Sequence, residues 1–485
     1  MARRRRNPYP GLLAVALVPA LVLGGCWRFA DSRATSGDVA VATTDGSSVP
    51  TTPATLTTPV LSVRRAPAVL SRNASVAALR ADLQPLLDTI GSTSCFALSI
   101  DGLPVAAVND TEPLRPASNV KLITASVALQ VLGADFVYTT TVNGAVGAGG
   151  VVAGNLYLVG GGDPLLSSAW WDGPSQKFPP FNVTSIEALA DSVKAAGVTA
   201  VTGSVIGDAS RYDDEWYLPT WADSLHFSEG GPLSALLVND SREAADRSSN
   251  DPAVGAATVL TQLLQARGIT VGGAPGKGTA DGSPVVASID SQPLPAVLAE
   301  MLTTSDNNTA ELMLKEMGLK AGGAPTTVAG ITVVMDTLTE WGIPLDGVTL
   351  VDGSGLSDEN RLTCAALLAV LQRGSVDDAV GQGLPVGGQV GGTLYDAFQE
   401  GEPLSGIIRA KTGTLDNTDG VPDKPGAKSL SGYIPVDGGG AIEFSLLLNG
   451  ETITNKTEYR PTWELFASIL AAYPTGPTPA TLAPR

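Results

Sequence analysis

Three short motifs lie far apart in this chain of 485 residues, and a fold that uses them together must close distant segments on one another. They are, in chain order, Ser118-Asn119-Val120-Lys121, Ser305-Asp306-Asn307 and Lys411-Thr412-Gly413. Together they supply the parts of a serine acyl-transfer site whose base is a lysine instead of a histidine. The S-x-N pattern alone is not specific, because it also fits Ser71-Arg72-Asn73 and Ser248-Ser249-Asn250. What makes the set specific is the order and the local setting of the three motifs.

The composition excludes several other kinds of site. The formal net charge of −18 offers no basic face to neutralise phosphates, which argues against nucleic acid as a partner. The single histidine is His226, so a serine–histidine–aspartate triad would have to use it, and a metal site with several histidines is excluded. We therefore predict no metal and no cofactor, and we interpret His226 as a structural residue.

The N-terminus is typical of a targeting segment. Arginines precede an apolar run from Gly11 to Gly25, which is short for a spanning helix. The run ends at Cys26 in a sequence that resembles a bacterial lipobox, so Cys26 is a candidate for lipidation. A lipoprotein, a cleaved signal peptide and an uncleaved anchor all remain open for residues 1–30. Each places the body of the protein outside the cytoplasm, secreted or held at the outer face of the plasma membrane, with membrane contact only through the N-terminus.

The remaining sequence divides by composition. Residues 31–70 are rich in Ser, Thr, Pro and Ala and predict a disordered linker, and residues 475–485 predict a disordered tail. Ordered sequence is expected from near Ala74, beginning with a helix. Residues 71–140 and 290–474 contain the motifs and predict the catalytic domain. Residues 141–289 alternate glycine-rich stretches with short β-like runs and predict a mostly β inserted domain, so that one sheet of an α/β (α+β) fold is closed by distant segments.

The first motif begins a helix. The apolar pattern of residues 120–132 predicts a helix that stops at Gly133 and places Ser118 in or just before its first turn. Ser118 and Lys121 then lie on one face, within reach of each other. Lysine can act as a base when burial or a nearby cation, such as Lys411, lowers its pKa. Alone, the pattern more often marks an N-cap serine followed by a surface lysine.

The second motif falls between two predicted helices. The hydroxyl of Ser305 can relay a proton to a leaving group, and the amide of Asn307 can hold a substrate carbonyl. The alternative interpretation is an ordinary helix N-cap, since Ser, Asp and Asn all suit that position.

The third motif lies on a predicted strand, residues 407–414. Lys411 and Thr412 offer a cation and a hydroxyl that suit a carboxylate, and Gly413 allows a substrate to approach the backbone closely. An extended peptide can pair along such a strand edge. The alternative is an ordinary strand end with an exposed lysine.

Longer segments around the motifs carry a family resemblance. They are Pro116–Leu122, Gly161–Leu165, Asp352–Ser357 and Arg409–Leu415. On these segments, residues 75–474 resemble the low-molecular-mass class C penicillin-binding proteins, D-alanyl-D-alanine carboxypeptidases and endopeptidases of the peptidase S13 family. The resemblance implies a penicillin-binding-protein/β-lactamase-like transpeptidase fold, with an antiparallel sheet flanked by helices. It also implies a hydrolase that acts on peptidoglycan stem peptides and is inhibited by β-lactam antibiotics.

The resemblance further implies a role for each motif residue in acylation. Lys121 would take the proton of Ser118, which attacks the carbonyl carbon between two D-alanines. The backbone N–H groups of Ser118 and Thr414 would form the oxyanion hole. Ser305 would then pass the proton to the departing D-alanine, and water would hydrolyse the acyl-enzyme.

Substrate binding is implied in the same way. Lys411 and Thr412, with Gly413 and Thr414 beside them, would bind the terminal carboxylate, and Asn307 would bind the peptide behind it. One position departs from the family pattern. Asp358 follows the Ser-Gly-Leu-Ser segment where the family often has arginine, which hints at a different or amidated side chain on the stem peptide.

Two further alternatives stay open. Export makes a disulfide between Cys95 and Cys364 available, and two buried thiols are the other interpretation. For function, a β-lactamase or esterase on the same scaffold and an inactive envelope binding protein remain as alternatives. The long insertion argues against the first, and the intact motif residues argue against the second.

Overall fold

The structure is a computed structural model that describes residues 66–171, 178–244, 247–417, 425–436 and 440–482. The predicted targeting segment with Cys26, and the linker up to residue 65, lie outside these ranges. Among the described helices, none has both the length and the apolar composition needed to span a bilayer.

Runs of strands and runs of helices follow one another along the described chain. The helices are α1 (Ala66–Asp82), α2 (Gln84–Leu87), α3 (Val120–Val131), α4 (Ile186–Ala195), α5 (Pro252–Ala266), α6 (Leu294–Thr304), α7 (Asn307–Ala321), α8 (Thr327–Glu340), α9 (Cys364–Leu371), α10 (Ala379–Gly383), α11 (Lys456–Ala471) and α12 (Pro479–Leu482). The strands are β1 (Ser94–Ile100), β2 (Leu103–Val108), β3 (Thr139–Asn143), β4 (Val151–Val152), β5 (Leu156–Val159), β6 (Leu166–Ser167), β7 (Thr184–Ser185), β8 (Ala200–Val201), β9 (Val205–Asp208), β10 (Arg242–Ala244), β11 (Arg247–Ser248), β12 (Thr270–Val271), β13 (Gly276–Lys277), β14 (Val285–Asp290), β15 (Arg409–Leu415), β16 (Gly426–Pro435) and β17 (Ala441–Gly450).

The central sheet joins the two ends of the ordered chain. Its five strands lie in the order β15-β16-β17-β1-β2, and neighbouring strands are antiparallel. Because side chains alternate along a strand, β1 directs Phe96 and Leu98 to one face and Cys95 and Ala97 to the other. The first pair packs in the core that contains residues of α1 and α11, and the second in the core that contains α3 and α6–α9. The mixed α and β architecture with a flanked antiparallel sheet confirms the predicted fold class.

A disulfide crosses one of these cores. The Sγ atoms of Cys95 on β1 and Cys364 at the start of α9 are 2.04 Å apart, and both residues are fully buried. The bond fixes the helix against the sheet on the face that also holds α3.

The insertion leaves and re-enters the catalytic part through one pair of strands. Strand β3 pairs antiparallel with β14, Thr139 opposite Asp290, and both belong to a sheet of order β13-β9-β5-β3-β14. Besides its strands, the insertion contains α4 and α5, which the glycine-rich pattern did not predict. Their apolar sides pack on this sheet in a core of their own. The division at 141–289 stays a prediction, because Asn73–Gly476 form one compact unit.

Two boundaries differ from the expectation. The first helix begins at Ala66 instead of near Ala74, so the last five residues of the predicted linker are helical. Pro67 stands in the first turn, where its missing N–H costs no hydrogen bond, and alanine and leucine follow. In the predicted tail, Pro479 starts the short helix α12 in the same position.

Candidate active site

Ser118 lies in a tight turn that leads into α3. Residues Ala117–Asn119 form one turn of 3₁₀ helix before the first residue of α3, and Ala117 has a left-handed φ of 49°. Such a conformation is unfavourable for alanine and needs support from its surroundings. Gly355 provides part of it, because a β-carbon there would come within 2.0 Å of the Ala117 carbonyl oxygen. The turn therefore depends on close contact with a distant loop.

Lys121 lies one helical turn beyond Ser118 and is fully buried. Its Nζ donates hydrogen bonds to Ser118 Oγ at 3.1 Å, Asn307 Oδ1 at 2.6 Å and the Ser354 carbonyl oxygen at 2.8 Å. Burial lowers the pKa of Lys121 to about 8, against the opposing effect of nearby carboxylates, of which Glu311 is the largest. A lysine with that pKa is present in part as the neutral amine near neutral pH, which is the form that can accept a proton.

The loop that holds the Ser354 carbonyl is built on two buried carboxylates. Glu311 on α7 accepts hydrogen bonds from the backbone N–H groups of Gly353 and Ser354, at 3.0 and 2.7 Å. Asp352 accepts from the N–H groups of Gly355 and Ser357, at 2.8 and 2.6 Å. The two carboxylates thus fix the peptide groups that face Lys121 and Ser118.

The second motif occupies the junction between α6 and α7. Ser305 ends α6 in the left-handed region at φ 70°, and Asp306 caps α7 by accepting from the backbone N–H of Thr309. Asn307 begins α7 and holds Lys121 with Oδ1, while its Nδ2 donates to the Glu229 carbonyl oxygen at 2.7 Å. The N-cap interpretation is therefore correct for Asp306, and it leaves Ser305 and Asn307 directed at the lysines.

Lys411 on β15 is the second fully buried lysine. Its Nζ donates to Ser305 Oγ and to the Thr412 carbonyl oxygen, both at 2.8 Å. Burial, followed by the positive charges of Lys121 and Lys428, holds the pKa of Lys411 well below its ordinary value. The alternative of an exposed lysine at a strand end is thereby wrong.

Strands β15 and β16 pack directly on the turn that holds Ser118; Gly413 lies on the first and Ser429 on the second. Asn119 Nδ2 donates to Ser429 Oγ at 2.7 Å, and that hydroxyl donates to the Pro116 carbonyl oxygen at 2.7 Å. A β-carbon on Gly413 would lie 2.1 Å from Ser429 Oγ and 2.9 Å from the Pro116 oxygen. The protein's own packing thus requires glycine at position 413. The sequence had suggested a different reason for this glycine, the close approach of a substrate to the backbone.

A cavity of about 460 Å³ opens above this arrangement. Six of the predicted site residues line it, namely Ser118, Ser305, Asn307, Thr412, Gly413 and Thr414. The two remaining site residues, Lys121 and Lys411, are buried beside it. Within the described ranges, no group of three or more His, Cys, Asp and Glu residues could hold a metal ion.

The sequence profile of one peptidase family covers most of the chain. The D-Ala-D-Ala carboxypeptidase 3 (S13) family matches residues 73–245 and 235–468, including all three motifs. The chain belongs to this S13 family. Membership confirms the predicted family and the predicted enzyme class, a serine-type D-Ala-D-Ala carboxypeptidase.

Similar proteins agree with this assignment. The S13 chain is 29% identical over 426 residues to a D-alanyl-D-alanine carboxypeptidase of Actinomadura sp. (strain R39), a match that covers 70% of this chain and 74% of that protein. It is 30% identical over 365 residues to carboxypeptidase DacB of Mycolicibacterium smegmatis, covering 71% and 73%. The crystal structure of penicillin binding protein 4 (dacB) from Haemophilus influenzae superposes with a TM-score of 0.62 at 20% identity, over 80% of this chain and 98% of that one.

Several contacts of this S13 site escaped the sequence interpretation. Glu311, Asp352 and Ser354, which order the loop beside Lys121, carried no predicted role, nor did the pair Asn119 and Ser429. Asp352 and Ser354 lie in a segment that had been quoted for the family resemblance, so the pattern marked the segment without giving its function. For Glu311 the one available signal was its place one helical turn after Asn307.

Some candidate residues lie apart from the cavity or outside the structure. The disulfide of Cys95 and Cys364 lies in the core, and Cys26 falls outside the described residues. His226 stacks on the ring of Tyr217, with centroids 4.3 Å apart, in keeping with a packing role.

Proposed function

We propose that Ser118 is the nucleophile of this D-Ala-D-Ala carboxypeptidase and that Lys121 is its base. The observation that carries the proposal is the contact of 3.1 Å between Ser118 Oγ and Nζ of the fully buried Lys121, beside a cavity large enough for a peptide end. In its neutral form, Lys121 takes the proton as Ser118 Oγ bonds to the carbonyl carbon of the scissile amide. The Asn307 and Ser354 oxygens hold Nζ in place throughout.

The oxyanion that forms in this step needs donors fixed in advance. We assign this role to the backbone N–H groups of Ser118 and Thr414, both of which border the cavity. Asn119 donates to the Lys411 carbonyl oxygen on β15 and to Ser429 Oγ on β16, and Ser429 donates to the Pro116 carbonyl oxygen. These bonds hold the turn of Ser118 against both strands and thereby keep the separation of the two N–H groups constant.

The departing amine needs a proton when the C–N bond breaks. Ser305 Oγ lies 2.8 Å from Lys411 Nζ, and we propose that Ser305 gives its hydroxyl proton to the amine and receives in turn the proton that Lys121 took from Ser118. The hydrogen bond from Lys411 stabilises the Ser305 oxygen during this transfer. Water then hydrolyses the ester on Ser118, with Lys121 again as base. The product is the shortened peptide with a new carboxylate.

Strand β15 gives the substrate its direction. Lys411 and Thr412 attract the terminal carboxylate, and Gly413 and Thr414 expose backbone beside which an extended peptide lies. Penicillins resemble the terminal dipeptide, and the penicillin binding protein 4 of Haemophilus influenzae is known in complex with a β-lactam. We therefore propose that β-lactams acylate Ser118 and inhibit the enzyme.

The far end of β15 leads to a second cavity, of about 640 Å³, which has an acidic lining. Asp358, Glu359 and Asp416 line it, and Arg115, the one arginine in the described part of the lining, already pairs with Asp358 at 3.8 Å and donates to the Pro425 carbonyl oxygen. We propose that it accepts a stem-peptide side chain whose end is amidated or cationic. Turnover of amidated and free-acid stem peptides tests this, and a clear preference for the free acid would contradict it.

The substrate places the reaction outside the cytoplasm. We propose that residues 1–30 direct export and that Cys26, if lipidated, holds the enzyme at the outer face of the membrane. Mass analysis of the mature N-terminus distinguishes the lipoprotein from a cleaved signal peptide and from an uncleaved anchor.

The decisive experiment uses the purified protein, a fluorescent penicillin and a D-Ala-D-Ala peptide. We expect a long-lived adduct of one penicillin per protein, release of D-alanine from the peptide, and loss of both in Ser118→Ala. An adduct that clears within seconds would favour the alternative β-lactamase function. A folded protein that forms no adduct would favour the envelope binding protein instead.

A further inference from the structure

A lysine that the proposed reaction does not use lies beside the substrate strand. Lys428 belongs to β16, the neighbour of the edge strand β15, and its register partner on β15 is Thr414. Its Nζ donates a hydrogen bond of 2.8 Å to Thr414 Oγ1. Thr414 is exposed and borders both the cavity above Ser118 and the second cavity. Lys428 is thus in direct contact with a side chain of the substrate strand.

The direction of this hydrogen bond determines what the Thr414 hydroxyl can do. An ammonium group is a donor only, so the Thr414 oxygen has to accept. The hydroxyl hydrogen then points away from Nζ and is left to donate to another group. A donor that itself accepts from a cation is polarised, which strengthens the hydrogen bond that it gives. A hydroxyl in this state favours an anion as its acceptor.

Two aromatic rings of α11 hold the ammonium group of Lys428 in place. Nζ lies 4.5 Å from the ring centroid of Tyr459 and 5.5 Å from that of Trp463, within the range of a cation–π contact. Both rings are buried, and they meet edge to face with their centroids 4.8 Å apart. The packing of α11 on the sheet therefore fixes the place from which Lys428 reaches Thr414.

The neighbouring residues of β15 are those proposed for the terminal carboxylate. Thr412 and Thr414 are two residues apart on the strand, so their side chains lie on the same face. The charge of Lys428 is also felt along the strand, because it contributes, after burial and Lys121, to the low pKa of Lys411. Lys428 is therefore close enough to act on a carboxylate bound at this end of β15.

We propose that Lys428 is a positioning residue for the terminal carboxylate of the substrate and that it acts by directing the Thr414 hydroxyl hydrogen at that carboxylate. The proposal rests on the proposed function, because it needs a substrate that lies along β15 with its carboxylate beside Thr412. Lys428 does not touch the substrate in this arrangement. Its effect is specific for the charge of the leaving group, and the acyl half of the substrate is indifferent to it.

Two thioester substrates test the proposal on the full-length protein. Both have the same diacylated L-lysyl-D-alanyl donor. The leaving thiol is mercaptoacetic acid in one and its neutral isostere mercaptoacetamide in the other, and release of the thiol gives kcat/KM. We expect the wild type to favour the carboxylate. Lys428→Met, whose apolar chain still packs on the rings, should lower the carboxylate-to-amide ratio roughly tenfold, as expected for the loss of a charge-assisted hydrogen bond.

Further variants separate positioning from a general structural role. Lys428→Arg keeps the charge and should retain most of the ratio, and Lys428→Gln is a second neutral variant that should lower it. Thr414→Val should lower the ratio as well, and adding Lys428→Met to it should cause no further loss if the lysine acts through the hydroxyl. A merely structural effect would slow both thioesters equally and leave the ratio unchanged.

The control and the folding check are part of the same experiment. Lys456→Met removes an exposed lysine of α11 that pairs with Asp396, and it should leave the ratio unchanged. Fluorescent penicillin, taken to completion, counts the folded sites in each preparation. A wild-type ratio in both neutral variants of Lys428, an equal further loss in the double variant, or a wild type without the preference overturns this inference and leaves the acyl-enzyme standing. A wild type that takes up no penicillin and releases no thiol overturns the proposed function instead.

Discussion

Nζ of Lys411 donates a hydrogen bond of 2.8 Å to Oγ of Ser305, across 106 positions of sequence. A second bond, 2.6 Å from Lys121 Nζ to Asn307 Oδ1, spans 186 positions. Each buried ammonium group thus joins one residue of the junction between α6 and α7 to another motif. These contacts matter for the stability of the fold, because an unpaired polar group in the interior would cost about 2–7 kcal/mol.

Acylation of Ser118 should accelerate as the pH rises through about 8. Burial lowers the pKa of Lys121 to about 8, and only the neutral amine accepts the serine proton. At pH 6 roughly 1% of the lysine is in that form, so the rate of penicillin acylation should be about two orders of magnitude below its plateau. Stopped-flow fluorescence from pH 6 to 9.5 measures this. A flat profile would contradict Lys121 as the base.

Glu311→Gln should slow acylation and destabilise the fold. The amide oxygen can still accept from the N–H groups of Gly353 and Ser354, but the NH₂ group takes the place of the second carboxylate oxygen and points its hydrogens at the Gly353 N–H, 3.0 Å away. We expect a loss of about 2–3 kcal/mol in the free energy of unfolding and a fall in the acylation rate of at least tenfold. Glu340→Gln, at an exposed position, is the matched control. Equal stability in both variants would show that Glu311 does not hold the loop.

Gly413→Ala should remove activity by distorting the protein itself. The added β-carbon would meet Ser429 Oγ on β16 at 2.1 Å, and on the turn of Ser118 it would meet Ala117 Cβ and the Pro116 carbonyl oxygen at 2.9 Å, so β15 would have to move away from that turn. We expect a loss of about 1–3 kcal/mol in stability and a reduction of acylation by roughly 100-fold, since the oxyanion donors lose their spacing. Gly91→Ala has no atom within 4 Å of the new carbon and should be silent. Wild-type acylation in Gly413→Ala would refute the packing argument.

Asp163→Asn should stabilise the protein above pH 6. Burial raises the pKa of Asp163 from 3.8 to about 6, so the folded protein keeps a proton that the unfolded chain releases between these values. The free energy of unfolding therefore falls as the pH rises from about 4 to about 6, and the cost at neutral pH is up to about 3 kcal/mol. Asparagine avoids this cost and still accepts from the Leu165 N–H.

Urea unfolding at pH 4 and pH 7.5 tests the prediction for Asp163. The variant should exceed the wild type by about 1–3 kcal/mol at pH 7.5 and differ little at pH 4. Asp135→Asn, at an exposed position, should change neither value. If Asp163→Asn is less stable than the wild type at pH 7.5, the carboxylate is stabilised there by contacts that outweigh its burial.

The sequence by itself determined the elements and the motif chemistry. Apolar periodicity placed a helix at 328–341, which the structure has at Thr327–Glu340, and a spacing of three residues put Ser118 and Lys121 on one face. These features depend on residues within one or two helical turns of each other, so the local sequence pattern is enough to predict them. The same pattern missed α4 and α5, because glycine-rich flanks masked two helices that are stabilised mainly by packing on the inserted sheet.

Only the tertiary structure decided the environment of the site. Three features of the site depend on segments far apart in the chain. Glu311 orders the loop that faces Lys121, Gly413 is needed for close packing against Ser429, and Arg242 from the insertion lines the cavity. Burial and the field of distant charges set the pKa of Lys121, and neither is encoded in the spacing of residues along one element. Sequence supplied the reacting groups, and packing fixed their distances and their protonation.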